Sequence, residues 1–287
     1  MYKIAILGCE NSHANTFLRY IIKEKRYTDI EVAGVYSDEL EAANKLKEEY
    51  GVSVATSYDE FAGKIDGVII TARHGGKHYP YAKPYFASGI PMFIDKPITI
   101  SEKEAITLKN DLIKHNVRVC GGSVCKFSQL VQQLKKNVTE KTYGEVYGGT
   151  VRAPIDMHNA YGDFYFYSQH LVQVMCEIFG YYPNSVKAFV NNTIITCIVR
   201  YDAYDVNLIF TEHNYTYYAG INCEKNAMFS HYTLDGCFEQ EFEEFYQLLK
   251  GNKQTKSYED FIAPVFIMNA IDRSIKSGNE EQIARQS

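Results

Sequence analysis

The amino-acid sequence predicts an α/β fold: an N-terminal Rossmann-type, doubly wound parallel sheet, then an α+β domain with a large, mostly antiparallel sheet. Short apolar runs alternate with helical segments up to residue 122. After Gly121 and Gly122, runs of period-2 alternation follow one another with no helix between them. The 287 residues exceed the size at which one core usually keeps growing. Two domains are therefore expected, at residues 1–122 and 123–287.

The N-terminal elements follow from apolar periodicity and from end signals. The run from Ser101 to Glu104 has the pattern of a capping box. Strands are predicted at residues 2–7, 30–36, 52–55, 67–71, 91–94 and 117–120, and helical segments at 12–25, 38–50, 58–62, 78–88 and 101–115. Ligands of such sheets bind where the strands end, so the binding edge is expected after Leu7, Tyr36, Thr71 and Ile94.

The second half is predicted to contain six strands and four helices. The strands are expected at residues 144–153, 185–191, 193–201, 205–211, 216–222 and 227–234, and the helices at 128–137, 163–179, 238–250 and 258–277. The cleft between the two domains is the expected active site.

The composition excludes several classes of protein. With 46% hydrophobic and 23% charged residues, the chain is neither disordered nor a coiled coil. A net charge of −5 gives no overall basic field, so neither nucleic acid nor an anionic membrane is expected as a partner. Tyrosine suits polyhydroxylated ligands, although most of the 24 tyrosines are expected simply to fill strands.

The seven cysteines are scattered, with no Cys-x-x-Cys pair. The sequence starts directly with an apolar strand, without a charged leader, and it has no run of 18 apolar residues. A soluble cytoplasmic protein with reduced thiols is the expectation. No metal site is predicted, because Cys120, Cys125 and His115 are too loosely spaced for structural zinc.

The first strand-to-helix turn carries part of a dinucleotide-binding signature. Of the pattern Gly-x-Gly-x-x-Gly only Gly8 is present, while Glu10 and His13 replace the other two glycines. Glu10 places a carboxylate where a diphosphate would lie, so a turn without a nucleotide is an equal alternative. The cofactor-binding residues predicted along this edge are Gly8, Glu10, Asn11, Ser12, His13, Ser37, Asp38, Thr71, Ala72, Arg73, His78, Asp95, Lys96 and Pro97.

Two of these positions suggest specific roles. Asp38, near the end of the second strand, is a candidate for the adenosine ribose hydroxyls or, alternatively, the N-cap of the next helix. With no arginine beside it for a 2′-phosphate, NAD is slightly favoured over NADP. Lys96 follows the fifth predicted strand, where burial would lower its pKa and let it exchange a proton with a substrate oxygen. A surface pair with Asp95 is the alternative.

These features resemble the Gfo/Idh/MocA family, named after glucose–fructose oxidoreductase, inositol dehydrogenase and a rhizopine-catabolism protein. The family has a Rossmann domain, a Glu-Lys-Pro motif after the fifth strand, and a C-terminal antiparallel sheet. Asp95-Lys96-Pro97 stands at the motif, and the resemblance covers nearly the whole chain. Other matching positions are His78, Lys126-Phe127, Gly144-Glu145-Val146 and the closing segment from Tyr258 to Gly278. The resemblance implies fold and hydride chemistry, and it places Lys126 near the substrate.

The family's catalytic helix usually reads Asp-x-Gly-x-His. His170 matches the histidine, whereas Phe166 and Ser168 replace the aspartate and the glycine. Asp163 and Tyr167 share a helical face with His170 and are expected to assist it, although Asp163 is also a candidate N-cap. Asp156 and His158, in the preceding loop, are further substrate candidates.

The sequence therefore predicts an NAD(P)-dependent oxidoreductase acting on a sugar, an inositol-like polyol or a related hydroxy or keto compound. Lys96 and His170 would manage the proton on the substrate oxygen, assisted by Tyr167 or Asp163. The main alternative is a dinucleotide- or sugar-binding sensor without turnover, favoured by Glu10, His13 and Phe166; reduction of an imine or enone is a third. A homodimer or homotetramer through the C-terminal sheet is expected.

Overall fold

The computed structural model of the chain describes residues 1–284, which form two sheets and eight α-helices. The strands are β1 (Tyr2–Leu7), β2 (Ile30–Tyr36), β3 (Gly67–Ile70), β4 (Met92–Asp95), β5 (Val119–Gly122), β6 (Val146–Pro154), β7 (Ser185–Asn191), β8 (Ile194–Arg200), β9 (Asp205–Thr211), β10 (Tyr218–Cys223), β11 (Ala227–His231) and β12 (Glu280–Gln282). The helices are α1 (Ser12–Leu18), α2 (Leu40–Tyr50), α3 (His78–Ala82), α4 (Glu102–Lys114), α5 (Gln129–Thr139), α6 (Phe164–Phe179), α7 (Cys237–Leu249) and α8 (Tyr258–Ser277).

The N-terminal sheet confirms the predicted doubly wound architecture. Its five strands run parallel in the order β2-β1-β3-β4-β5. All residues of β3, β4 and β5 are buried, as the short apolar runs predict for a sheet covered on both faces. The predicted strand at 52–55 is wrong: it is reduced to one bridge between Val35 and Val54, and residues 58–62 form turns instead of a helix.

Two predicted helices are less regular than expected. The first continues beyond α1 as a π-helical turn, Arg19–Lys23, and the segment after α3 is a 3-10 helix, Lys83–Ser88. Pro84, in the first turn of that 3-10 helix, has no N–H to extend α3. The capping box is half formed: the Ser101 hydroxyl accepts the Glu104 amide at 3.5 Å, but the Ser101 amide donates to Thr99.

The second sheet has seven strands in the order β11-β10-β6-β9-β8-β7-β12. Neighbouring strands are antiparallel except β6 and β9, which are parallel, so the predicted mostly antiparallel sheet is confirmed. The edge strand β12 was not predicted, because its Glu280–Gln282 run has no apolar alternation. Helices α6 and α8 pack on this sheet.

Helix α7 returns from the second sheet to the first. Its Phe242 ring lies 5.0 Å from the Phe17 ring of α1, and both belong to one buried cluster with Phe93 of β4. A side chain at Gly67 of β3 would come within 2.5 Å of Leu249. Helix α7 therefore covers part of the N-terminal sheet, although it lies beyond the predicted boundary at residue 122.

Within residues 1–284, no helix has both the length and the apolar character needed to cross a membrane. All seven cysteines are buried and free of disulfide bonds. Burial raises the pKa of Cys197 to about 12 and that of Cys9 to about 12, so these thiols stay protonated and unreactive at neutral pH.

Candidate active site

A cleft of about 430 Å³ opens at the carboxyl edge of the parallel sheet. It lies where α1, the end of β4 and the start of α6 come together, as the strand order predicts for ligands of such sheets. Seven of the predicted site residues line it: Asn11, Ser12, His13, Arg73, Lys96, Tyr167 and His170. The other lining residues are Val124, Tyr161, Phe166, Tyr217, Leu234 and Phe238.

The turn after β1 requires glycine at its first position. Gly8 has φ +77°, and a Cβ there would lie 2.3 Å from the Ala72 backbone nitrogen. The Thr71 hydroxyl donates to the Gly8 carbonyl at 3.0 Å. Thr71 and Ala72 thus hold the turn against the end of β3, and neither lines the cleft.

Asn11 connects this turn to β4. It is the N-cap of α1, and its Oδ1 accepts the His13 amide at 3.1 Å. Its Nδ2 donates to Asp95 Oδ2 at 2.9 Å. Asp95 is fully buried, and its other oxygen accepts the Lys96 amide at 2.7 Å, so Asp95 anchors the loop instead of facing a ligand.

Glu10 replaces the second glycine of the signature. Its carboxylate is buried and accepts the Ser37 hydroxyl at 2.6 Å and the Arg73 amide at 3.1 Å. It therefore bridges the ends of β2 and β3, on either side of β1. The Ser37 hydroxyl and the Arg73 amide therefore offset the negative charge of Glu10 in this turn.

Asp38 is fully engaged by its own chain. It accepts the Tyr36 hydroxyl at 2.5 Å and the Tyr81 hydroxyl at 2.8 Å, and Lys77 Nζ lies 2.8 Å away. Burial would raise its pKa, but these donors lower it to about 2. The alternative that Asp38 caps α2 is wrong, since Glu39 occupies the N-cap position.

Lys96 enters the cleft from the end of β4. Its side chain is buried, and its Nζ lies 3.5 Å from the Phe166 carbonyl oxygen and 4.5 Å from the centre of the Phe166 ring. Burial lowers its pKa, partly opposed by Asp95. The alternative of a surface lysine is therefore wrong, and the amine is suited to gaining and losing a proton.

His170 lies on the buried face of α6 without a carboxylate partner. Its Nδ1 is 2.7 Å from the Ser123 hydroxyl and 3.5 Å from Cys125 Sγ. Burial, Lys96 and His13 keep its pKa well below the usual value, so the ring is neutral. Ser123, directly after β5, thus orients the His170 ring, a role that the family resemblance assigns to an aspartate.

Only one of the two residues predicted to assist His170 is near it. The Tyr167 ring lies 5.6 Å from the His170 ring, and both line the cleft. Asp163 is exposed; its Oδ1 accepts the Asn159 amide at 3.1 Å. It stands at the N-cap position of α6 but makes no capping hydrogen bond, because its φ of +51° turns the chain sharply there. Neither proposed role of Asp163 is supported by this geometry.

Five other predicted residues lie outside the cleft lining. His78 is fully buried, and its Nε2 lies 2.7 Å from the Ala72 carbonyl; burial lowers its pKa. Lys126 is also buried and donates to Glu244 and to the Gly121 carbonyl, both at 2.8 Å. The remaining three are Pro97, Asp156, whose Oδ1 accepts the His158 amide at 3.1 Å, and His158, which is exposed.

The sequence analysis missed several aromatic residues of the cleft. Tyr161 receives a hydrogen bond from Arg73 Nη1 at 2.8 Å and lies under the same guanidinium. Tyr217 and Phe238 come from segments far along the chain. None belongs to a motif; the high tyrosine content was the only available signal. The arrangement places a neutral imidazole, a lysine with lowered pKa and phenol hydroxyls around one space.

The residues of this edge fit a dinucleotide. Gly8 gives the sharp turn before α1, Arg73 and Lys96 supply positive charge, and Asp38 lies at the end of β2. Glu10 and His13 replace the other two glycines of the signature, and the negative charge of Glu10 is already offset by hydrogen bonds from the Ser37 hydroxyl and the Arg73 amide.

Comparison with known proteins agrees with this geometry. Residues 2–123 match the Gfo/Idh/MocA model, described as an oxidoreductase family with an NAD-binding Rossmann fold. No curated protein is significantly similar to the chain in sequence.

Three solved structures illustrate the shared fold. The myo-inositol 2-dehydrogenase of Lactobacillus plantarum has a TM-score of 0.86 at 14% identity, with 99% of each chain covered. The scyllo-inositol dehydrogenase of Lactobacillus casei, with bound NAD(H) and scyllo-inositol, has a TM-score of 0.85 at 15% identity, with 99% of each chain covered. The WlbA dehydrogenase of Chromobacterium violaceum, with NADH and UDP-GlcNAcA, has a TM-score of 0.82 at 15% identity, covering 99% of this chain and 96% of that one.

Proposed function

We propose, from the match of residues 2–123 to the Gfo/Idh/MocA oxidoreductase model, that the chain is an NAD(H)-dependent dehydrogenase or reductase of that family. Its substrate would be a sugar, an inositol-like polyol or a related hydroxy or keto compound. The observation that carries the proposal is the buried Lys96 amine, with its lowered pKa, in one cleft with the neutral His170.

Lys96 and His170 would share the proton of the substrate oxygen. The bound nicotinamide supplies or accepts the hydride. A lysine with lowered pKa can donate its proton to a forming alkoxide or withdraw one from a hydroxyl. His170, held through Nδ1 by Ser123, would present its other nitrogen to the same oxygen. Tyr167, next to His170, would add a hydroxyl donor.

Tyrosines support the choice of a polyhydroxylated substrate. Tyr161, Tyr167 and Tyr217 line the cleft, and their rings and hydroxyls match the alternating apolar and polar faces of a sugar or cyclitol. Two of the structures with the same fold act on inositols according to their names, which is consistent with this class.

We propose NAD(H) over NADP(H). Two carboxylates lie near the end of β2, where the adenosine ribose would bind: Asp38, just after β2, and Glu10, which reaches from the turn after β1 and accepts the Ser37 hydroxyl. A 2′-phosphate brought there would meet both negative charges. Lys77 is not available to bind the phosphate, because its Nζ already pairs with Asp38 at 2.8 Å.

The first experiment is a titration of the purified protein with NADH and with NADPH, followed by nicotinamide fluorescence and thermal shift. We expect micromolar binding of NADH and weaker binding of NADPH. Inositols, sugars and their keto forms are then screened for cofactor-dependent turnover. A folded protein that binds neither cofactor would exclude the dehydrogenase.

The role of Lys96 is tested by Lys96→Ala once a substrate is found. We expect kcat to fall by about 10²–10⁴-fold, the usual contribution of a proton-transfer group, while the Kd for NADH changes little. Lys45→Ala, an exposed lysine on α2, is the matched control and should retain full activity. Unchanged turnover in Lys96→Ala would remove Lys96 from the mechanism.

A second candidate is a binding module without turnover. It is favoured by Glu10 in the phosphate turn and by Phe166 at the position of the missing carboxylate. This module would bind a nucleotide or sugar in the same cleft. Saturable NADH or sugar binding with no turnover on any carbonyl or hydroxyl substrate would support it over the dehydrogenase.

We also propose that the chain forms a homodimer or homotetramer through its second sheet, in the cytoplasm. Phe189 of β7, Ile194 of β8 and Phe229 of β11 are large exposed apolar residues on that sheet, and the seven free thiols suit a reducing compartment. Light scattering at micromolar concentration tests the assembly. A monomeric mass would exclude it.

A further inference from the structure

Three buried side chains meet beneath the cleft, from three different elements. His13 comes from the first turn of α1, Asp95 from the end of β4, and Glu241 from α7. Each offers one ligand atom, and these atoms all lie within 4.8 Å of one another. The side chains are 4%, 0% and 0% exposed, so this is not a solvated acidic patch.

The His13 ring is held in one orientation through Nδ1. That nitrogen lies 3.0 Å from Asn11 Oδ1 and 3.4 Å from Asp95 Oδ2, which are both acceptors. The Asn11 amide is oriented by its own partners, since Oδ1 accepts the His13 amide and Nδ2 donates to Asp95. Nδ1 therefore carries a proton, and Nε2 is directed at Glu241.

The atoms on that side of the ring have no hydrogen-bond partner. They are Nε2 of His13 and both carboxylate oxygens of Glu241, all buried. Nε2 and Glu241 Oε2 lie 3.1 Å apart but are not aligned as a hydrogen bond. A carboxylate whose oxygens have no hydrogen-bond donor in the protein interior is costly unless a cation, either His13 in its protonated form or a metal ion, neutralises it.

The spacing and chemistry of these atoms suit a metal ion. Two ligands bound at about 2.0–2.2 Å to one cation lie about 3.0–3.5 Å apart, which matches the separation of Nε2 and Oε2. Metal-binding histidines usually donate their other ring nitrogen to an oxygen, as His13 does towards Asn11 and Asp95. One imidazole with carboxylates selects first-row divalent ions over calcium.

We propose that Nε2 of His13 and the carboxylate of Glu241 bind a divalent transition-metal ion of the manganese-to-zinc series, while Asp95 orients the ring through Nδ1 and adds its negative charge to the site. The ion would tie α7 to the N-terminal sheet, and through His13 it would lie next to the cleft wall. The proposal does not depend on the dehydrogenase activity. The competing occupant is a single proton shared between His13 and Glu241.

The test starts from protein treated with a chelator and then desalted. Mn²⁺ is the first probe, because its preference for oxygen and nitrogen ligands keeps it away from the seven thiols. We expect one Mn²⁺ per chain by equilibrium dialysis and elemental analysis, and a rise in Tm of several degrees with excess metal. Zn²⁺ and Co²⁺ are compared in the same assay.

Glu241→Gln keeps the shape of the side chain and removes its charge, and it should weaken Mn²⁺ binding by at least about 100-fold. Glu239→Gln, an exposed position on the same helix, is the matched control and should bind as the wild type does. If wild-type protein retains no Mn²⁺, Zn²⁺ or Co²⁺ and its Tm is indifferent to them, the cluster holds a proton and the proposal is wrong. Equal binding by wild type and folded Glu241→Gln would also overturn it.

Discussion

Glu177 of α6 carries a buried charge, and removing that charge should lower the free energy of unfolding measurably. Its side chain is 1% exposed, and its Oε2 lies 2.8 Å from Lys135 Nζ of α5 and 2.9 Å from Lys256 Nζ just before α8. The Tyr181 hydroxyl donates to its other oxygen. Burial would raise its pKa, but the two lysines dominate and lower it to about 2.

The size of the effect follows from this shift. A fall from 4.5 to about 2, at about 1.4 kcal/mol per pKa unit, corresponds to on the order of 3 kcal/mol of stability at neutral pH. Because folding lowers the pKa of Glu177, the stabilisation is fully present at pH values above the pKa of this side chain in the unfolded chain. It is lost as the pH falls from about 4.5 towards 2. Glu177→Gln mimics the protonated side chain and should remove it.

Urea denaturation at pH 7 and at pH 3 measures this contribution. We expect Glu177→Gln to be less stable than wild type by about 2–3 kcal/mol at pH 7 and by about 1.4 kcal/mol at pH 3. Glu145→Gln removes the exposed pair with Lys141 and should change the free energy of unfolding by less than about 0.5 kcal/mol. Equal stability of Glu177→Gln and wild type at pH 7, or a difference that does not shrink in acid, would refute the reasoning.

Three further substitutions test the site. Gly8→Ala, with a Cβ 2.3 Å from backbone, should cost at least about 2 kcal/mol, seen as a lower Tm; an unchanged Tm would contradict the strained turn. Phe166→Asp should raise the pKa of His170 towards its usual value, measured by NMR titration of the imidazole, whereas a pKa that stays low would show that the carboxylate does not reach the ring. Gln169→Ala removes the acceptor of the Ile98 amide at 2.9 Å and should cost about 1–3 kcal/mol in urea denaturation; no loss would mean that the amide finds another partner.

Much of the fold could be predicted because its signals are local. The bounds of β1, β2 and α8 were predicted to the residue, since apolar periodicity starts and stops there. Gly51 and Gly89 end the helical segments before them with left-handed backbone, which glycine adopts without strain. The wrong predictions concern short segments such as residues 52–55. Whether such a segment forms a strand depends on how many hydrogen bonds it makes with the neighbouring strand, which the local sequence does not show.

The site was less accessible to sequence reasoning because its contacts join distant segments. Lys96 and His170 were found from motif positions. The orienting partner of His170 was sought on its own helix, but it is Ser123, 47 residues earlier. Glu241, which faces His13, comes from a helix that the sequence predicts without indicating where it packs. Spacing along one element predicts neighbours on that element only.

The position of α7 has a consequence for how this protein can be divided. Because Phe242 shares a core with Phe17 and Phe93, the first 122 residues do not contain all the apolar surface needed to close their own sheet. A fragment ending there would expose that surface to water and, at about 1.5–3 kcal/mol for each buried aromatic side chain lost, would aggregate or stay partly unfolded. The segment that matches the family model is therefore not a unit of folding, because its sheet depends on α7 for part of its apolar cover.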